Sequence, residues 1–352
     1  MTQRNMTRKE NPPPVVPPHD KVEPSSAYDL LCTPVSNSAL GTAPVETDQP
    51  LTKGIVRLFG DIVGTPRDIR HITDFGMVNS VFRIAGENGG NFIVRSFPGD
   101  QGVLDYEKED WSMRKAAGCG VPVSTVRGIG YHDGHSYMIQ DLLPGVNGAS
   151  ISDPAGRLAI WRQLGNFSSL LGDVRCSGYG WSLNKDSERF SCESWSAFIA
   201  QAEAQALGDP SMNAGVFTRA QREKLRGLFE ILANMDPQPV LCHGDIGPSN
   251  CIVDPETLKI NGIIDWEMAV AAPGAHASLV SASTYFKRPE EQAAFLEGMG
   301  QPTFLQDPQT QAEFRALRVL FVLYFAAYNL GNRDAVNGAQ RRVAGAIEEA
   351  RI

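Results

Sequence analysis

One polar loop set between apolar runs constrains this chain more than any other feature. It reads Cys242-His243-Gly244-Asp245-Ile246-Gly247-Pro248-Ser249-Asn250, and fifteen residues after Asn250 comes Asp265, at the end of Ile263-Ile264 and before Trp266-Glu267. The pattern is H-x-D-x-x-x-x-N, then a carboxylate closing an apolar run. The short apolar pieces around Leu241 to Val253 and Ile260 to Ile264 flank Asp254-Pro255-Glu256, which predicts a hairpin presenting these polar residues at its edges.

The chain divides around a connector near residue 140. Residues 1–50 hold Pro12-Pro13-Pro14, Pro17-Pro18 and further prolines with little apolar periodicity, the composition of a disordered tail. Residues 51–141 read as strands about one helix. Val78 to Ile84, the turn Asn88-Gly89-Gly90 and Asn91 to Arg95 predict a hairpin, and Gly102 to Ala117 predicts a helix. Two more strands follow, Val121 to Gly130 and Ser136 to Asp141, joined by a turn at His132-Asp133-Gly134-His135. From 142 to 352 the pattern turns helical, with helices expected over Pro154–Leu171, Cys192–Leu207, Thr218–Met235, Glu290–Met299, Gln309–Leu330 and from Asp334 onward. The fold class is α+β: a small antiparallel sheet lobe and a larger helical lobe with a cleft between them.

Phosphoryl transfer from a nucleotide needs one carboxylate near the acceptor hydroxyl, with an amide and a second carboxylate for Mg²⁺. Asp245, Asn250 and Asp265 supply those groups. Their His-Gly-Asp form resembles the aminoglycoside phosphotransferase and choline kinase branch of the protein-kinase-like fold, where protein kinases usually carry His-Arg-Asp. The resemblance implies an ATP- and Mg²⁺-dependent kinase acting on a hydroxyl of a small molecule, with GTP as the other possible donor. Asp245 would orient or accept the hydroxyl proton, Asn250 and Asp265 would bind the metal, and His243 would brace the loop.

Upstream, Gly76 to Phe82 resembles the family's nucleotide-covering hairpin, with Asn79 at its polar position. Arg95 stands where the family carries a cation for the phosphates, and Glu109 is its expected helix partner, with Glu107 as the other register. Gln140-Asp141-Leu142 resembles the connector whose backbone meets the base, with Leu142 and Ile93 as base contacts. For the acceptor, Trp266, Glu267, Tyr324 and Tyr328, with Trp195 and Glu203, are aromatic and acidic residues suited to a hydroxylated amine. The chain departs from the family in three places. No His stands near Gly172, Ala272 to Leu279 has no Asp, and Asp265-Trp266-Glu267 contains no Gly.

A net charge of −8 argues against nucleic-acid binding and suits a cationic substrate. Six cysteines without a C-x-x-C pair read as reduced thiols, which together with the absence of a secretory signal or a membrane-length apolar run predicts a cytoplasmic protein. Cys242 and Cys251 are expected to be inert, on adjacent strands. Oligomeric state is not legible. Two other readings stay open here: a catalytically weak kinase-like scaffold, and an enzyme that phosphorylates a hydroxyl so that elimination or cyclisation can follow.

Overall fold

The computed structural model describes residues 50–72, 80–208 and 217–328, with 344, 345 and 347 near the C-terminus. The expected Pro-rich tail, the turn containing Asn79, and all but those three positions of the last expected helix lie outside the described residues.

The first lobe is a five-stranded antiparallel sheet. Its strands are β1 (Pro66–Ile72), β2 (Ser80–Gly86), β3 (Asn91–Pro98), β4 (Val126–His132) and β5 (His135–Asp141), in the order β1-β2-β3-β5-β4. Side chains alternate across a strand, and here that sorts two functions. Phe92 and Val94 of β3 join Phe82, Ile84, Tyr137 and Ile139 in an apolar layer under Ile55, Leu58 and Phe59 of helix α1 (Pro50–Ile62). Ile93 and Arg95 fall on the opposite face, where α2 (Gln101–Gly118) packs. The sequence reading anticipated α2 but not α1. It also put Arg95 at a strand end, whereas β3 runs on to Pro98 and Arg95 sits inside it, opposite Val81 and Met138.

In the second lobe the expected helices appear close to their predicted bounds. Helix α3 (Pro154–Leu171) starts with Pro154 in its first turn, and Asp153 caps it by accepting from the Gly156 N–H. Strands β7 (Tyr179–Asn184) and β8 (Arg189–Cys192) follow, so Cys192 closes a strand and α4 (Trp195–Gly208) starts later than expected. A capping box between Thr218 and Gln221 opens α5 (Arg219–Ala233). The polar loop then lies between β9 (Pro239–Cys242) and β10 (Cys251–Val253), and β11 (Ile260–Ile263) leads to Asp265. After β12 (Val270–Pro273) come α6 (Gly274–Ser283), α7 (Pro289–Gly298) and α8 (Pro308–Tyr328).

The expected hairpin is β10 with β11, which pair Cys251 to Ile263 and extend onto β6 (Val146–Asn147). Leu241 and Cys242 belong instead to a separate sheet, ordered β8-β7-β12-β9. Cys242 and Cys251 are therefore not neighbours on adjacent strands. Both are buried, and burial pushes the Cys251 thiol up to about 12 and that of Cys242 further still, so neither is a ready nucleophile. Among the described residues, no helix is long and apolar enough to cross a membrane.

Candidate active site

The polar loop is held in one shape by its own backbone. Gly244 has φ +81°, and a Cβ there would stand 1.8 Å from the Met268 carbonyl oxygen. Only glycine satisfies both the left-handed angle and that approach. His243, buried beside the edge of the Trp266 ring, receives the Asp245 N–H at Nδ1 (3.2 Å). Its Nε2 lies 2.9 Å from the Ile264 carbonyl, so the ring carries its proton on Nε2 and donates there. Burial holds its pKa down at about 4. His243 is a neutral brace tying the loop to the end of β11.

Asn250 fixes Asp245. Its Nδ2 donates to the Asp245 carbonyl (2.7 Å) and to Asp245 Oδ2 (2.9 Å), which leaves the amide oxygen Oδ1 for another partner. Burial raises the Asp245 pKa to about 6, and the Asp265 charge adds to the rise while hydrogen bonds from Tyr285 and Asn250 oppose it. Asp265 follows β11 in the left-handed region (φ 65°, ψ 62°), a conformation that costs a non-glycine residue energy and recurs at functional sites. Its side chain is 41% exposed, so the carboxylate remains open to a ligand.

Arg95 reaches this group from the other lobe. Its guanidinium lies 2.5 Å from Glu109, 3.5 Å from Glu267 and 3.9 Å from Asp265, and 5.5 Å from the Tyr106 ring centre. Burial alone would lower its pKa, but the carboxylates of Glu109, Asp265 and Glu267 more than offset that. Glu109 is therefore the helix partner. Glu107 pairs on the surface with Lys185. Burial, with the nearby Asp265 charge, lifts Glu267 to about 7. Lys108 donates to the Glu267 backbone carbonyl, adding a second polar link between α2 and the Asp265 turn.

At the connector, Ile93 pairs with Gln140, and the two lie on the Arg95 face of the sheet. The Asp141 and Leu142 N–H groups donate to the Thr125 and Asn91 carbonyls. A base held by main-chain bonds there has to use a carbonyl, or an amide beyond Leu142, and the backbone contact expected at 140–142 is narrowed accordingly.

The expected acceptor residues scatter. Trp266 is 1% exposed and donates to the Ile263 carbonyl, so it is core. Trp195 is buried and donates to the Leu232 carbonyl. Tyr324 stacks on Trp181 at 3.7 Å, in the aromatic cluster formed by β7, α4 and α8. Glu267, about a third exposed, lies 3.5 Å from Arg95. The Tyr328 side chain lies outside the described residues, and Glu203 is half-buried on α4.

Two contributors were missed. The Ile246 N–H donates to Ser281 Oγ (2.6 Å), and the Tyr285 hydroxyl donates to Asp245 Oδ1 (2.7 Å). Four residues apart, Ser281 in the last turn of α6 and Tyr285 just beyond it, they support the loop from the segment that follows the Asp-less stretch Ala272 to Leu279. Their one signal in sequence was that spacing.

A family model described as "Phosphotransferase enzyme family" (APH) matches residues 74–315. Among solved structures, aminoglycoside phosphotransferase APH(4)-Ia is similar at TM-score 0.65 and 18% identity, over 85% of this chain and 98% of that one. The GDP and kanamycin complex of APH(2")-IIia aligns at TM-score 0.60 and 16% identity, over 86% and 98%. Macrolide 2'-phosphotransferase MphH from Brachybacterium faecium aligns at 0.58 and 18%, over 84% and 97%. At these identities the likeness establishes the fold, which is protein-kinase-like. Among curated proteins, none matches.

Proposed function

Because the chain belongs to the phosphotransferase enzyme family APH, we propose that it transfers the γ-phosphoryl group of ATP to a hydroxyl of a small molecule. The observation that carries this reading is the convergence of Asp245, Asn250 and Asp265 with the Arg95–Glu109 pair of the other lobe. The acceptor oxygen bonds to the γ-phosphorus as the bridging P–O bond to the β-phosphate breaks. ADP leaves, and the acceptor proton passes to Asp245, whose pKa near 6 leaves it mostly ionised at neutral pH. His243, neutral and committed on both ring nitrogens, takes no part in proton transfer.

The donor set fits Mg²⁺. Asn250 has its amide oxygen to spare and Asp265 has an exposed carboxylate, both hard oxygen ligands. Among the described residues no cluster of three or more His, Cys, Asp or Glu could enclose a metal, so water and phosphate would complete the shell, as this ion prefers. When bound, Mg²⁺ neutralises charge on the phosphate oxygens. Arg95 holds phosphate from the sheet side, and Ile93, Gln140 and Leu142 frame the base.

Similar structures hold AMP-PNP with hygromycin B in one case and GDP with kanamycin in another. This supports a purine nucleoside triphosphate as donor and a hydroxylated, amine-bearing acceptor, which also suits a net charge of −8. The convergence of Asp245, Asn250 and Asp265 with Arg95 supports transfer over the scaffold reading. Turnover of Mg²⁺-ATP against a panel of hydroxylated amines, sugars and secondary metabolites tests the proposal. A product heavier by about 80 Da marks simple phosphorylation (one HPO₃). Asp245→Ala should lower turnover by about 10²-fold or more. Wild-type turnover in that variant would sink the reading.

A further inference from the structure

The loop and Asp265 account for the metal side of the site, but the carboxylate of Asp245 has a second anchor that they do not use. Tyr285 lies just beyond α6, its N–H donating to the Ala282 carbonyl, and its hydroxyl donates to Asp245 Oδ1 at 2.7 Å. Two further features show that the contact is built in. The loop comes so close to the Tyr285 ring at Gly247 that a Cβ there would stand 2.5 Å from it, so the backbone is bare where the ring enters. One helical turn earlier, Ser281 accepts the Ile246 N–H at 2.6 Å, so the end of α6 grips the loop by main chain and side chain together.

Asn250 holds the other oxygen, Oδ2, through its Nδ2. Any partner that draws on the Asn250 amide oxygen puts a demand on that same side chain. The phenol of Tyr285 is an anchor free of that demand. A carboxylate held at one oxygen alone turns about its Cβ–Cγ bond, and a turned carboxylate no longer meets an incoming hydroxyl in line with the phosphorus.

We infer that Tyr285 is a positioning residue for phosphoryl transfer, its phenol fixing Asp245 in the orientation that receives the acceptor hydroxyl. The inference rests on the function proposed above and adds to it a residue from outside the loop motif. Tyr285 touches Asp245 rather than the reacting atoms, so its removal should slow turnover without weakening nucleotide binding.

The full-length protein with Mg²⁺-ATP, and water as the phosphoryl acceptor, provides the test without knowledge of the natural substrate. In Tyr285→Phe the ring stays to fill its place against Gly247, and thermal melting within about 3 °C of wild type, roughly the effect of ~1 kcal/mol, confirms the fold. The expected result is a kcat about ten-fold lower with KM for ATP unchanged, the scale of one lost charge-assisted hydrogen bond. Unchanged or raised kcat overturns the inference, and so does a loss confined to KM. Tyr285→Ala, which also removes the ring, should lose at least as much kcat, and a smaller loss than in the Phe variant would equally overturn it. Asp245→Asn runs alongside: if it hydrolyses ATP like wild type, the phosphotransfer reading fails. If it is inactive while Tyr285→Phe is normal, only the role of Tyr285 fails.

Discussion

Single residues decide the shape of the catalytic loop, and Gly244 shows how. The family resemblance treats this position as a marker separating His-Gly-Asp from His-Arg-Asp. The structure gives the physical reason in this chain, a left-handed φ of +81° with the Met268 carbonyl against the α-carbon. Gly244→Ala should cost about 2–4 kcal/mol, summing backbone strain and overpacking. Urea denaturation checks this, and a loss below ~0.5 kcal/mol would mean that the loop relaxes at no cost. His243 acts by staying neutral. Its folded pKa of about 4 lies below the ordinary 6.5, so between those values the unfolded chain binds a proton that the folded one refuses. Stability is fully retained above about pH 6.5 and falls as pH drops toward 4, by up to ~3 kcal/mol from this group. In His243→Asn that slope should vanish. Denaturation of both proteins at pH 7, 5.5 and 4.5 should show the wild-type advantage shrinking step by step, and a constant difference would rule out the linkage.

Elements supply what single residues cannot, and they mark where the sequence was legible. The loop motif, α3 and the β10–β11 hairpin could be read because each has a local signature: fixed spacing, a capped helix start, a turn between apolar runs. Helix α1 has a signature too, Ile55, Leu58, Phe59 and Ile62 at helical spacing, but it stands between a Pro-rich stretch and the first expected strand, in a lobe expected to carry one helix. Tyr285 could not be found that way. It lies forty residues from Asp245 in sequence, and their meeting depends on the turn after α6, a tertiary fact. Trp266 and Trp195 were misplaced as acceptor contacts for a related reason, since aromatic residues near a motif are more often core, as these two are. The Arg95–Glu109 pair joins β3 to α2 and can be tested as an element contact. With Glu109 2% and Arg95 11% exposed, Glu109→Ala leaves a nearly buried guanidinium short of its closest partner and should cost about 3 kcal/mol. Arg95→Ala should cost a similar amount, and the double variant about 1–3 kcal/mol less than the sum. Strict additivity would show that the two side chains do not stabilise the lobe through each other.

Across the whole molecule, the two lobes meet in a cluster whose charges do not cancel. Arg95 and Lys108 come from the sheet lobe. Lys108 and Glu109 both stand on α2, and Asp265 and Glu267 face them from the turn after β11. Three carboxylates outnumber two cations, and Glu267, lifted to about 7 chiefly by burial, is pushed up further by the Asp265 and Glu109 charges. A nucleoside triphosphate adds several more negative charges beside Asp265. The field at the cleft therefore opposes the free nucleotide and favours it together with a divalent cation. ATP alone should raise the melting temperature little, whereas ATP with Mg²⁺ at about a hundred times its Kd should stabilise the fold by ~2.7 kcal/mol, a rise of several degrees. Asp265→Ala separates the two contributions. It removes a proposed metal ligand and also one of the repelling charges, so the Mg²⁺-dependent part of the shift should shrink while the part due to ATP alone stays equal or grows. A thermal shift assay on the two proteins, with ATP, with Mg²⁺ and with both, decides it. Equal shifts with and without Mg²⁺ in the wild type would show that Arg95 alone commands the phosphates and that the charge excess has no bearing on binding.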